Sequence, residues 1–172
     1  MSTPKKAAPK ATKAPAAKAA GPGKVAAAAP WIEGVVKPEG LLGLRLGESL
    51  EAVVKALAAK DKPSASGPDT VVTAKVGGRH VTATIGPDGL SEVAVFIGHK
   101  TSKEAEHKAV AKELKAFLTA RHGKPGGRPS FPEWQVAGEP AYRLWMCSWK
   151  TRDSDFGDGE LSTKVVMDVH VE

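Results

Sequence analysis

The sequence predicts an α+β domain, residues 31–172, in which an antiparallel sheet of five to six strands carries two helices on one face. Three observations predict it. Two stretches, 50–60 and 104–121, place apolar residues at helical spacing. Segments 70–98 and 161–171 alternate apolar and polar residues, as half-buried strands do, and 141–150 reads as a further strand with apolar residues on both faces. The turns inside 70–98 are too short for anything but antiparallel neighbours. The resulting order is helix, three strands, helix, two or three strands. It suggests a helix-plus-meander unit used twice, although no residue-level repeat accompanies it.

Before the domain comes a tail, residues 1–30. It is rich in Ala and Pro, has no acid and no aromatic, and carries Lys5, Lys6, Lys10, Lys13, Lys18 and Lys24. Nothing in it offsets the entropy of ordering a backbone, so it is expected to be disordered. The net charge of the 172-residue chain is +6, and the six tail lysines account for all of it, because the remaining Lys and Arg balance the 19 Asp and Glu. A neutral body excludes a domain that binds polyanions through a large field of its own.

The body opens near Trp31. Leu41–Leu46 reads as a short opening strand, and Ser49 is the expected N-cap of a helix in which Leu50, Val53, Val54 and Leu57 form one stripe, ending before Pro63. The segment DKPSASGPD reads as a polar loop. Val72, Ala74 and Val76 then alternate up to Gly77-Gly78, a hairpin signal leading to Val81, Ala83 and Ile85. The turn Gly86-Pro87-Asp88-Gly89 leads to Val93, Val95 and Ile97. Thr101 and Glu104 are spaced as a capping box for the second helix, whose stripe is Val110, Leu114, Phe117, Leu118 and Arg121. Gly123 and Pro125 stop it. A Gly/Pro-rich passage with a short strand candidate at 134–136 leads to strands at Ala141–Lys150 and Leu161–Val171.

The segment LGLRLGESLEAVVKAL, with the later RHGKP, resembles small bacterial helix-plus-meander domains of the outer-membrane assembly lipoprotein and β-lactamase-inhibitor-protein type. The resemblance implies a binding or scaffolding module. Members that travel to the envelope carry a secretion signal, which is not read here, so an envelope role is not carried over. The tail KKAAPKATKAPAAKAAGPGK resembles those of linker histones and some basic bacterial nucleoid proteins.

Strand 141–150 is the most unusual passage. Tyr142, Leu144 and Met146 fall on one face, while Trp145, Cys147 and Trp149 fall on the other beside Arg143. Two helices on one side leave that second face bare. Either the passage Gly126–Pro140 folds over it, or the sheet curls and buries both faces, or it is a partner or homodimer surface anchored by Arg143, Trp145 and Trp149, residue types favoured as interface anchors.

Other candidates are weaker. The five histidines form no metal spacing, and the Glu104/His107 pair reads as a solvated helix face. The acidic turn at 153–160 departs from a calcium loop at Gly157 and Lys164. No nucleophile–base motif or phosphate loop is present, and Cys147 reads as a buried, inert thiol, so neither an enzyme nor a cofactor is expected. A single cysteine and no long apolar run point to a cytoplasmic protein without a membrane span. The leading expectation is thus a non-enzymatic protein-binding or adaptor module, bacterial in character, with a cationic tether. The alternatives are a nucleic-acid-associated protein whose tail lysines contact DNA or RNA phosphates, and a secretion-chaperone-like or immunity-like dimer.

Overall fold

A computed structural model describes residues 30–101, 104–150 and 161–169, with residues 98–101, 104, 106, 149, 150 and 161 described in backbone only. The chain begins with helix α1 (Pro30–Val35) and a two-residue hairpin, β1 (Val36–Lys37) and β2 (Gly40–Leu41). Helix α2 (Leu50–Leu57) precedes four strands: β3 (Ser64–Ser66), β4 (Asp69–Val76), β5 (Arg79–Gly86) and β6 (Gly89–Thr101). Helix α3 (Glu104–His122) precedes four more: β7 (Gly126–Arg128), β8 (Phe131–Val136), β9 (Tyr142–Lys150) and β10 (Leu161–Val169). The two meanders join through β6 and β10 into one antiparallel sheet of order β3-β4-β5-β6-β10-β9-β8-β7. A helix followed by a four-stranded meander therefore occurs twice.

The α+β class and the antiparallel sheet agree with the sequence pattern, but the counts do not. Among the described residues the sheet has eight strands rather than five or six, and there are three helices rather than two. Both additional edge strands are three residues long and exposed throughout, so no apolar alternation marks them. One lies in the supposed polar loop DKPSASGPD and pairs with β4. The other lies in the Gly/Pro-rich passage, which extends the sheet as β7 and β8 instead of folding over its second face. Leu41–Leu46 is not a strand: Leu42 and Gly43 take positive φ (57° and 80°), which turns the chain so that Leu41, Leu44 and Leu46 all enter the core. Helix α2 stops at Leu57 because Ala58 adopts the left-handed conformation, φ 47°.

Other signals act as the chemistry requires. The Ser49 hydroxyl accepts a hydrogen bond from the Ala52 amide at the start of α2. Gly77 and Gly78 both take positive φ, as a tight hairpin turn of this hand demands. Gly123 ends α3 with φ 87°, its amide donating to the Thr119 carbonyl at 2.9 Å. The segment before α2 is laced to the start of β6, where the Gly47 amide donates to the Leu90 carbonyl and the Leu90 amide to the Glu48 carbonyl, both at 2.8 Å.

The register sorts the sheet into two faces. On the inner face Val72, Val81, Ala83, Val93, Val95, Val165, Met167, Leu144, Met146 and Trp134 form a continuous buried layer. Val53 and Leu57 of α2, Leu114 and Leu118 of α3, and Ile32 and Val35 of α1 belong to the same core. The helices thus share one layer. Ala94, Cys147 and Val166 are also buried, yet lie outside that core, on the other face.

Candidate functional site

The outer face is built from strand parity. Antiparallel pairing places Thr82, Ala94, Val166, Trp145 and Glu133 in one row across β5, β6, β10, β9 and β8, and Thr84, Glu92, Asp168, Arg143 and Gln135 in the next. Phe131 lies on this face, two residues before Glu133, and is half exposed (50%). Phe96 pairs with Lys164 on the other side of Ala94. An apolar strip comprising Ala94, Val166, Trp145 and Phe131 therefore crosses the middle of a face opposite the helical layer.

Asp168 organises the polar part. Its carboxylate accepts a bidentate pair from Arg143, Nε to Oδ1 at 2.9 Å and Nη2 to Oδ2 at 2.7 Å, and a third bond from the Trp145 indole Nε1 at 2.8 Å. Arg143 Nη1 stands 3.6 Å from Glu133 Oε2, an ion pair without a hydrogen bond. The hydrogen bond to Asp168, more than any other influence, raises the guanidinium pKa further. Lys164 Nζ lies 5.1 Å from the centre of the Trp145 ring. A guanidinium and an indole are thus held in fixed orientations by one carboxylate.

The structure brings Arg143 and Trp145 together as the sequence pattern implied, and adds Asp168, Lys164 and Phe131. The pairing of Asp168 with Arg143 needs the β9–β10 register. Phe131 was hidden because the passage around it reads as loop. Trp149 pairs with Ser162 in the backbone, and its side chain lies outside the described residues. The six tail lysines and the acidic turn at 153–160 also lie outside them.

His107 corrects an expectation. It is not on a solvated face but 5% exposed, its Nε2 hydrogen-bonded to Thr163 Oγ1, because α3 rotates that side toward β10. Cys147 is buried as a free thiol; burial pushes its pKa up, and the neighbouring Lys164 charge pulls against that. Among the described residues no group of three His, Cys, Asp or Glu side chains could hold a metal ion, and no helix is long and apolar enough to cross a membrane. Comparisons with protein-family models, curated proteins and solved structures find no match to the chain.

Proposed function

We propose that this chain is a non-enzymatic protein-binding or adaptor module that engages a protein partner, or a second copy of itself, through the outer face of its sheet. Arg143 and Trp145 are the anchors, with Trp149 continuing the same strand. The observation that carries this reading is the Trp145–Phe131 strip beside a pre-oriented Arg143, on the face away from the helices. The edges are poor alternatives. Both edge strands have only three residues, and Pro63 and Pro129 flank them, which is how sheets discourage edge-to-edge pairing. A reducing compartment such as the cytoplasm suits the lone buried thiol.

The test separates association from stability. Full-length Phe131→Ser/Trp145→Ser and the parent chain are compared for melting temperature and for native mass in extracts of the cells that make them. The reading expects the parent to run as an assembly and the variant as a folded monomer. A parent that runs as a monomer, or a variant that stays assembled, overturns it.

The charge segregation favours a second reading, in which the tail lysines hold nucleic acid phosphates while the neutral body selects the partner. Six phosphate contacts give a log–log salt slope of about −5 on duplex DNA. A salt titration of the full-length chain and of a chain with all six lysines changed to Gln checks it. Retention that persists in the substituted chain, or that does not respond to salt, contradicts it.

A further inference from the structure

On the other layer, a cleft of about 320 Å³ opens between α3 and the inner face of β8 and β9, bounded by the turn that joins β7 to β8. Ala111, Pro132 and Met146 give it apolar walls, and Pro132 and Met146 are buried. Lys112 and Lys115, three residues apart on α3, supply the charge, and none of the residues lining it is acidic. Small ligand sites have this composition: mostly apolar walls with a few convergent polar groups.

A second observation concerns Ser148, which also lines the cleft. Its hydroxyl lies 2.7 Å from Thr163 Oγ1, which in turn bonds His107 Nε2, and both inner members are buried (1% and 5% exposed). This chain of polar groups runs from beneath α3 to the exposed Ser148. When His107 Nε2–H donates to Thr163 and Thr163 donates to Ser148, the Ser148 O–H remains available to donate into the cleft. An anion there favours that polarity, and each bond in the chain strengthens the next.

We propose that this cleft binds a small amphipathic carboxylate, its head held by Lys112, Lys115 and Ser148 and its apolar body lying against Ala111, Pro132 and Met146. Two ammonium groups and a hydroxyl donor match a carboxylate, and the modest volume restricts the body to a short aliphatic chain or a single ring. This site is independent of the outer face, so either can fail without the other.

Octanoate is titrated into the full-length protein and followed by backbone amide NMR, with octanol as the uncharged control. The expected result is saturable shifts centred on Ala111, Lys112 and Ser148, with a dissociation constant on the order of 1 mM. Octanol should bind about tenfold more weakly, Lys112→Gln/Lys115→Gln should weaken octanoate about tenfold, and Ser148→Ala about threefold. These substitutions sit on exposed or half-exposed positions, and unchanged amide spectra elsewhere report that the variants fold. Equal binding of octanol, shifts centred on Phe131 and Trp145 instead, or no saturation overturns the proposal.

Discussion

Asp168 shows how one side chain organises a surface. Three donors converge on its two oxygens, so removing its charge loosens Arg143 and Trp145 together. The Asp168 side chain is 16% exposed and that of Arg143 36%, which places the bonds between a screened surface pair and a buried one. Asp168→Asn should therefore lower stability by about 1–2 kcal/mol, read from the urea midpoint, and a change within error would mean that solvent screens the cluster fully. His122, at the end of α3, is a second sensitive residue. Its Nε2 is buried with no hydrogen-bond partner among the described residues, and burial, aided by the adjacent Arg121 charge, lowers its pKa to about 4. The folded chain then binds fewer protons at this site than the unfolded chain, whose histidine titrates near about 6.5. Its contribution to stability is complete above the unfolded value and is lost as pH falls from there toward 4. Melting temperatures across that window should drop more for the parent than for His122→Gln, and parallel curves would refute this.

At the scale of elements, the joint between α2 and β6 is packed backbone against backbone. Gly89 has φ 101°, and a Cβ added there would collide with the carbonyl of Gly47, in the segment that caps α2. Gly89→Ala should cost more than the about 1 kcal/mol of an ordinary Gly substitution, because strained φ and backbone collision add. Thermal denaturation checks this, and a neutral effect would show that the joint can open. Elements were legible in the sequence in proportion to their apolar periodicity. α2, α3 and β4, β5, β6, β9 and β10 each bury a stripe or an alternating set, and each was recognised within a few residues. By contrast, β3 and β7 bury nothing, and α1 is six residues long, so no pattern distinguishes them from loop. His107 lies seven and eleven residues before the buried Leu114 and Leu118, on their side of α3, so its burial is encoded in the spacing but masked by its polar side chain, which an apolar stripe leaves out.

At the scale of the molecule, the two helix-plus-meander halves place the three described helices on one layer, and no described helix lies on the other face of the sheet. The alternation in β9 already indicated two apolar faces; what it could not indicate was whether the passage before it would cover the second. That passage becomes β7 and β8, which widens the face and adds Phe131 to it. The partner-binding reading rests on this arrangement, and the most direct measurement addresses Phe131 itself. A photo-crosslinking amino acid is placed at position 131 of the full-length chain in its native cells, and for comparison at Lys112 on the opposite layer. The account expects one discrete protein adduct from position 131, its mass giving either a second copy or a different chain, and its yield falling when Trp145→Ser is added. Absence of a discrete adduct at 131, or the same adduct from position 112, would contradict the claim that the outer face is where this protein binds its partner.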